Sequence, residues 1–284
     1  MPNLRELIAL GAAPLVLPGA ANALTARIIA DLGFPAIYLS GAGITNSELG
    51  LPDMGFITLD QLSAHVARVR DVVDTAIVVD CDTGFGNALN VAHTVRVLER
   101  SGANALQIED QVFPKRCGHF DGKEVAPVGE MVSKVKAAVD VRASEDLLII
   151  ARTDALAVSG FNEAVERAHA YQEAGADIIF IEALESHSEI AEAPRHVSAP
   201  LLINMVEGGR TPMMELDELS TLGYGIVLYA NSAMRAAITS MQIVLKSLKE
   251  TGSTASVIDH IAPWSERQRL VDKPRYDEME RRYA

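Results

Sequence analysis

The sequence predicts an α/β protein, a (β/α)₈ TIM barrel with a C-terminal helical extension. Two observations carry this prediction: eight short apolar runs, and a longer amphipathic stretch after each of them. The runs are mostly continuous and rich in Ile, Leu and Val, which is typical of strands buried on both faces of a parallel sheet. Eight such units within roughly 250 residues match the size of a barrel. A doubly wound open sheet is the alternative, but Pro18-Gly-Ala-Ala-Asn after the first run is not its Gly-rich loop.

Each element has its own justification in the pattern of the chain. The predicted strands are Ala13–Leu17, Ala36–Leu39, Ala76–Val79, Ala105–Ile108, Leu147–Ala151, Ile178–Ile181, Leu201–Ile203 and Gly225–Tyr229. The predicted helices are Ala23–Leu32, Leu59–Val73, Val91–Ser101, Gly129–Val141, Phe161–Ala174, Ser186–His196, Glu215–Leu222 and Ser232–Glu250. Thr58 and Ser186 mark helix starts as N-caps. Helix ends are marked by Gly33, Gly102, Gly175 and Gly223.

The chain is predicted to form one domain over residues 1–284, with 253–284 as a charged helical tail broken by Pro263 and Pro274. No apolar stretch reaches the roughly 18 residues of a membrane span, and the N-terminus lacks the pattern of a signal peptide. The 25 basic and 38 acidic residues give a net charge of −13, which argues against a nucleic-acid surface. Two cysteines cannot form a disulfide framework, so we expect a cytoplasmic protein.

Polar residues follow most of the predicted strands, where a barrel carries its catalytic groups. These strand ends read Tyr38-Leu-Ser-Gly-Ala-Gly, Asp80-Cys-Asp-Thr-Gly-Phe-Gly-Asn, Glu109-Asp-Gln, Arg152-Thr-Asp, Glu182 and Asn204-Met-Val-Glu. Polarity returns at any strand end, but a ring of carboxylates facing Arg152 is more specific than that. Gly41 and Gly43 are expected to allow close backbone approach to a small anionic ligand.

Asp80 and Asp82 stand two positions apart on a predicted strand, so both side chains are expected on one face. Two carboxylates at that spacing repel each other unless a cation lies near them. Ligands made only of oxygen favour Mg²⁺ or Mn²⁺, and we predict such a metal site, with a purely structural pairing as the alternative. Cys81 between them is interpreted as a small buried hydrophobic residue.

The longest predicted loop follows the fourth strand, roughly residues 110–128, and contains Pro114-Lys-Arg-Cys-Gly-His119. Long loops in a compact barrel are often lids or binding loops. Lys115, Arg116 and His119 are neighbours that favour the thiolate of Cys117. From the residues alone, Cys117 is equally an incidental loop cysteine, and a functional one could serve as a proton-donating acid.

Lys115-Arg-Cys-Gly-His119 resembles the signature of the isocitrate lyase and phosphoenolpyruvate mutase superfamily, in the form seen in methylisocitrate lyases and 2,3-dimethylmalate lyases. The resemblance covers roughly residues 15–237. Further motifs match it in order: Tyr38-Leu-Ser-Gly, Gly50-Leu-Pro-Asp53, Asp80-Cys-Asp-Thr-Gly-Phe-Gly, Ile108-Glu-Asp-Gln, Ala151-Arg-Thr-Asp-Ala and Asn204-Met-Val-Glu-Gly-Gly-Arg-Thr-Pro212.

This resemblance implies Mg²⁺-dependent cleavage of a carbon–carbon bond in a 2-hydroxy di- or tricarboxylate, giving a keto acid such as pyruvate or glyoxylate. It implies metal ligation by Asp80 and Asp82, with Asp53 and Glu109 acting through water. It implies a homotetramer that exchanges the helix after strand 8 between subunits. Its implied substrate contacts are Ser40, Gly41, Gly43 and Arg152, with Asn204, Arg235, Gly118 and His119 at the distal carboxylate. Its implied catalytic residues are Cys117 as the acid, Tyr38 at the substrate hydroxyl, and Glu182 either supporting another site residue or relaying a proton. Lys115 and His119 are expected beside the thiol.

The chain departs from methylisocitrate lyases at two places. Met-Val-Glu-Gly-Gly-Arg after Asn204 looks more like dimethylmalate lyases and carboxyphosphonoenolpyruvate mutases, and Phe120 stands where methylisocitrate lyases tend to have a basic residue. The prediction therefore leans toward a 2-alkylated malate. The alternatives are a P–C bond mutase or an oxaloacetate decarboxylase, neither of which needs a carbanion-quenching cysteine. A non-catalytic metabolite-binding barrel and an unrelated Mg²⁺-dependent aldolase are further alternatives.

Overall fold

A computed structural model describes residues 3–9, 13–116, 118 and 122–284. Eight parallel strands follow one another around a closed barrel, which confirms the predicted fold class. Pairing of β1 with β8, with Leu17 opposite Leu228, closes the ring. The strands are β1 Leu15–Ala20, β2 Ala36–Leu39, β3 Ala76–Asp80, β4 Ala105–Glu109, β5 Leu148–Thr153, β6 Ile178–Ile181, β7 Leu201–Asn204 and β8 Ile226–Tyr229.

Helices surround the barrel and extend beyond it. The α-helices are α1 Leu4–Ala9, α2 Ala23–Asp31, α3 Gly41–Ile44, α4 Leu59–Arg70, α5 Ala88–Arg100, α6 Val128–Val141, α7 Leu156–Ser159, α8 Phe161–Glu173, α9 His187–His196, α10 Leu216–Leu222, α11 Ser232–Thr251, α12 Trp264–Leu270 and α13 Lys273–Tyr283. A π-helix, Thr45–Leu49, and a 3₁₀ helix, Ala255–His260, complete them. Within the described ranges, no helix is both long enough and apolar enough to cross a membrane.

The predicted boundaries of β1 are wrong, because the strand runs to Ala20 and not to Leu17. Pro18 and Gly19 look like turn residues, yet Pro18 pairs with Tyr229 and Gly19 with Tyr38. A β-carbon at Gly19 would lie 1.7 Å from the carbonyl oxygen of Ala230. Position 19 therefore needs glycine for close approach of two backbones, not for a turn.

Two apolar layers explain why the strand sequences are continuous rather than alternating. Ile37 and Leu39 pack between the sheet and the helices, whereas Tyr38 points into the barrel. Leu4 of the unpredicted helix α1 packs with the inner layer and is fully buried against the strand starts. Both faces of each strand are thereby removed from water, as a parallel sheet requires.

The predicted helix signals are confirmed. Thr58 and Ser186 both form capping boxes, with Gln61 and Glu189 respectively. Gly33, Gly102, Gly175 and Gly223 all have positive φ angles just past helix ends.

Helix α11 after β8 is the longest helix, and most of its side chains are not buried. Its apolar side chains Ile238, Met241, Leu245 and Leu248 are exposed, and Ser247 is its buried residue. The tail beyond it is helical as predicted, and Arg269 of α12 pairs with Asp31 of α2 at 2.6 Å. Pro263 precedes α12, but Pro274 lies in the first turn of α13 and starts that helix instead of breaking it.

Candidate active site

A cavity of about 560 Å³ lies at the carboxyl ends of the strands. Its lining brings together many of the residues that the sequence singles out, from both the predicted metal group and the predicted substrate group. They are Tyr38, Ser40, Asp53, Asp80, Glu109, Lys115, Gly118, Arg152, Glu182, Asn204 and Arg235. Cys117 and His119, the predicted acid and its neighbour, lie outside the described residues.

The two paired aspartates converge, although not in the predicted way. β3 ends at Asp80, and Asp82 lies beyond it with a left-handed φ of 48°, so the two do not share a strand face. Both carboxylates nevertheless approach Gly41, where a β-carbon would lie 3.2 Å from Asp80 Oδ2 and 3.1 Å from Asp82 Oδ1. The backbone N–H groups of Gly41 and Asp82 donate to Asp80 at 3.1 and 3.2 Å. The absence of a side chain at Gly41 therefore leaves room for the carboxylate pair.

Lys115 lies among carboxylates. Its Nζ is 2.5 Å from Asp53 Oδ1 and 2.7 Å from Asp82 Oδ1, and the side chain is buried. Burial would lower the pKa of Lys115, but Asp82 and the surrounding carboxylates raise it well above its usual value. The ammonium therefore stays charged and neutralises part of the acidic cluster.

Negative charge still exceeds positive charge at this end of the barrel. Five carboxylates, on Asp53, Asp80, Asp82, Glu109 and Glu182, lie near three cations, Lys115, Arg116 and Arg152, and the charge of Arg235 is matched by Glu207. Burial raises the pKa of Asp82 to about 7; Lys115 opposes that rise, and Asp80 adds to it. Burial also raises the pKa of Glu109 well above its usual value, with Arg152 opposing it.

These carboxylates fit a hard divalent cation. The donor set is all oxygen, and Glu109 Oε1 is buried without a hydrogen-bond partner. Within the described part of the chain, no three His, Cys, Asp or Glu side chains form a ready-made metal site, and the Lys115 ammonium lies between Asp53 and Asp82. A cation would thus relieve the excess charge and share these carboxylates with Lys115.

Arg152, at the end of β5, is held by a partner that sequence reasoning did not assign. Its Nε and Nη2 donate to the two oxygens of Asp154 at 2.9 and 3.0 Å. Its Nη1 is 3.4 Å from Glu109 Oε2, and its guanidinium lies 5.2 Å from the centre of the Phe180 ring. The bidentate pair fixes the orientation of the guanidinium, so Nη1 is the nitrogen that remains directed at the Glu109 carboxylate.

The Tyr38 hydroxyl donates to Gln107 Oε1 at 2.7 Å, and Gln107 Nε2 donates to Asp80 at 3.2 Å. Burial and the nearby charge of Asp80 hold the pKa of Tyr38 well above its usual value, so the phenol keeps its proton. Tyr38 is therefore a hydrogen-bond donor and not a base. Gln107 was missed, although it is the one amide within the eight predicted apolar runs.

Gly118 places loop backbone directly against two charged groups. A β-carbon there would lie 2.4 Å from Glu182 Oε1 and 2.5 Å from Arg152 Nη2. Lys123 Nζ donates to the Gly118 carbonyl oxygen and lies 3.0 Å from Asp154 Oδ1. Lys123, like Asp154, carries no prediction from the sequence.

Part of the cavity lining is apolar and includes Leu228, Met234 and Ile238. Arg235 Nη1 lies 3.1 Å from Glu207 Oε2, so its charge is already matched by a carboxylate. The Asn204 Oδ1 atom is buried without a hydrogen-bond partner. The Asn231 side chain occupies the space beside Gly43, with Oδ1 3.1 Å from the position of a β-carbon there.

Asp110 supports this site from behind. Its carboxylate accepts hydrogen bonds from Thr153 Oγ1 at 2.7 Å, the Asp154 N–H at 2.9 Å and Tyr171 Oη at 2.8 Å. Arg167 Nη1 lies 3.1 Å away. The carboxylate thus ties the end of β5, next to Arg152, to helix α8.

Comparison with known proteins finds relatives that belong to one superfamily. Residues 4–249 match the family model described as phosphoenolpyruvate phosphomutase. The chain is 44% identical to "2,3-dimethylmalate lyase" of Eubacterium barkeri over 95% of this chain and 93% of that protein. It is 47% identical to "2-methylisocitrate lyase" of Aeropyrum pernix over 95% of this chain and 86% of that protein. A phosphonopyruvate hydrolase solved with oxalate and Mg²⁺ superposes with a TM-score of 0.89 at 30% identity, covering 99% of this chain and 98% of that one.

Proposed function

The chain belongs to the phosphoenolpyruvate mutase and isocitrate lyase superfamily, and we propose that it is a Mg²⁺-dependent lyase that cleaves a 2-alkylated malate. It is an enzyme, and the lyase names of its relatives support cleavage of a carbon–carbon bond. The products would be a 2-keto acid, which is pyruvate when the 2-alkyl group is methyl, and a carboxylate. The observation that carries the proposal is the convergence of Asp80, Asp82 and Glu109 beside Arg152 in one cavity.

Asp80 and Asp82 would hold the cation directly, with Asp53 and Glu109 acting through water. Mg²⁺, once bound, would polarise the substrate hydroxyl and lower its pKa. The all-oxygen donor set, the excess of carboxylates and the unpartnered Glu109 Oε1 support this assignment. Mn²⁺ suits the same ligands.

The protein's own side chains would bind the substrate and manage its charge. Arg152 would bind a substrate carboxylate through Nη1 and stabilise the negative charge that develops on the leaving fragment. Tyr38, which keeps its proton, would turn that proton from Gln107 to donate a hydrogen bond to the substrate hydroxyl or carboxylate. Ser40, Gly41 and Gly43 would contact the remaining substrate oxygens.

The cleavage itself breaks one carbon–carbon bond. The hydroxyl proton would pass to the Glu182 carboxylate, the hydroxyl oxygen becomes the keto oxygen, and the electron pair of the broken bond stays on the leaving fragment. Cys117 would transfer its thiol proton to that carbanion and become a thiolate, with His119 supplying cationic surroundings. After product release, Glu182, which lies beside Arg152, would return that proton to the Cys117 thiolate.

The apolar part of the cavity lining supports an alkylated dicarboxylate over a tricarboxylate. A third carboxylate would have to compete with Glu207 for Arg235, whereas an alkyl group would meet Leu228 and Met234. Burying apolar surface against these two side chains is favourable.

Assembly belongs to the same proposal. Four exposed apolar side chains on α11, at positions 238, 241, 245 and 248, follow the 3–4 spacing of a packed helix face. We expect this helix to pack on a neighbouring subunit in a homotetramer. A reducing, cytoplasmic setting would keep both cysteines as free thiols.

The test is release of keto acid from a panel of 2-hydroxy acids, with and without EDTA and added Mg²⁺. We expect the highest kcat/KM on a 2-alkylated malate, loss of activity with EDTA and recovery with Mg²⁺. Activity that persists after exhaustive chelation would contradict the metal. A preference for 2-methylisocitrate would contradict the dicarboxylate, and turnover of phosphonopyruvate or oxaloacetate alone would contradict the lyase.

A charge variant separates the two substrate classes. Glu207→Gln frees Arg235, so we expect kcat/KM for a tricarboxylate to rise relative to a dicarboxylate. Glu185→Gln is the matched control, because Glu185 pairs with Arg210 at 3.0 Å and does not line the cavity. An unchanged substrate ratio in Glu207→Gln would show that Arg235 does not face the distal group.

A further inference from the structure

Lys123 is a buried cation that the proposed reaction does not use. Its ammonium is within hydrogen-bond distance of two acceptors, the Gly118 carbonyl oxygen and Asp154 Oδ1, the latter at 3.0 Å. The side chain is 2% exposed, and that of Asp154 is fully buried. Burying a lysine this deeply is costly unless its charge is paired. A surface role in solubility therefore does not explain the position of Lys123.

Asp154 is shared between two cations. The same oxygen, Oδ1, accepts from Arg152 Nη2 and from Lys123 Nζ, both at 3.0 Å. Burial would raise the pKa of Asp154, but Arg152 and Lys123 lower it overall, so the carboxylate stays ionised. An isolated Arg152–Asp154 pair would carry no net charge. With Lys123 the three groups carry one positive charge.

Lys123 also acts on the loop backbone. The Gly118 segment lies against Glu182 and Arg152 so closely that a β-carbon would clash with both. The bond from Lys123 to the Gly118 carbonyl oxygen ties this segment to Asp154, and therefore to the orientation of Arg152. One side chain thus links the backbone beside the site to the carboxylate that fixes the guanidinium.

We propose that Lys123 is a positioning residue that, through Asp154 and Gly118, offsets the charge of Asp154 beside Arg152, where Glu109 and Glu182 also lie, and so favours a doubly charged carboxylate ligand. The inference rests on the proposed function in one respect, namely that Arg152 binds a carboxylate of the ligand. Coulomb energy scales with ligand charge. The loss of one nearby positive charge therefore costs about twice as much binding free energy for a dianion as for a monoanion.

The experiment compares oxalate, a dianion, with pyruvate, a monoanion, by calorimetric titration in the presence of Mg²⁺. Lys123→Gln keeps a hydrogen-bond donor and removes the charge, and Lys123→Arg keeps the charge. Lys136→Gln on α6 is the control, because Lys136 is exposed. We expect Lys123→Gln to lower the affinity for oxalate by about 10- to 100-fold, and the affinity for pyruvate by about the square root of that factor. Lys123→Arg should recover most of the oxalate affinity, and Lys136→Gln should match the wild type.

Equal weakening of both ligands in Lys123→Gln, or no recovery in Lys123→Arg, would reduce Lys123 to a structural role and overturn the inference. Wild-type protein that binds neither ligand would also overturn it. If Lys123→Gln weakens oxalate binding more than pyruvate binding but no 2-hydroxy acid is cleaved, the proposed function fails and the role of Lys123 stands. If a 2-hydroxy acid is cleaved but both ligands are weakened equally, the proposed function stands and the role of Lys123 fails.

Discussion

Replacing Asp82 by asparagine should stabilise the metal-free protein while removing its response to Mg²⁺. The folded protein holds Asp82 at a pKa of about 7, because burial and Asp80 disfavour its charge, against an ordinary value of 3.8. Between those two pH values the folded chain keeps a proton that the unfolded chain releases. Stability therefore falls as pH rises through this window, and the full cost is present above about pH 7.

The magnitude follows from the same two values. Their difference, at 1.36 kcal/mol per pH unit, limits the cost of ionised Asp82 to roughly 4 kcal/mol. Asparagine cannot ionise, so Asp82→Asn should recover part or all of that amount above pH 7. In a chain of this size that corresponds to an increase in Tm of up to about 8 °C. Near pH 4 the gain should vanish, because Asp82 is then protonated in the folded wild type as well.

The assay is thermal unfolding of EDTA-treated protein across this pH range, repeated with saturating MgCl₂. Wild type should be stabilised by Mg²⁺, by about 2.7 kcal/mol at a hundred times Kd, and Asp82→Asn should not. Asp140→Asn, which changes an exposed carboxylate on α6, should behave as wild type. A metal-free Asp82→Asn that is less stable than wild type at pH 8, or that still responds to Mg²⁺, would refute the reasoning.

Three further predictions test the acid, the support of the site and the assembly. Cys117→Ser should lose about 10²-fold or more in turnover with little change in KM, because serine is a far weaker acid; steady-state kinetics with near-normal kcat would rule out proton donation. Tyr171→Phe removes the hydroxyl that donates to buried Asp110 at 2.8 Å, so urea unfolding should show a loss of about 1.5–3 kcal/mol, with the exposed Tyr276→Phe as control. Sedimentation should show a homotetramer that Leu245→Glu on α11 dissociates, and a stable wild-type monomer at micromolar concentration would contradict the packing of that helix.

Most of the barrel could be predicted because its strands are buried on both faces, which leaves an uninterrupted apolar signal. β2 and β6 begin and end where the sequence predicts. β1 could not be predicted correctly, because its Pro18 and Gly19 have the composition of a turn, and the backbone approach that requires glycine is set by Ala230, far along the chain. α1 is too short for a periodic pattern to mark it.

The candidate site could likewise be predicted only in part. Strand ends predict which side chains meet, because parallel strands bring their carboxyl ends to one edge. They do not predict which of those side chains pair with each other. Lys115 was expected beside a thiol and lies between Asp53 and Asp82. Asp154 stood in the quoted motif without a role, because its bidentate contact depends on how the chain turns after β5.

The buried carboxylate of Asp110 connects a helix on the outside of the barrel to the strand end that carries Arg152. Two of its partners, Arg167 and Tyr171, belong to α8, and the other two belong to the chain segment that carries Arg152. A substitution on that helix can therefore shift the guanidinium without touching the cavity. Among natural variants of this protein, changes at positions 167 and 171 should alter catalysis as strongly as many changes inside the cavity. Distance from the substrate is then a poor guide to which residues can change freely.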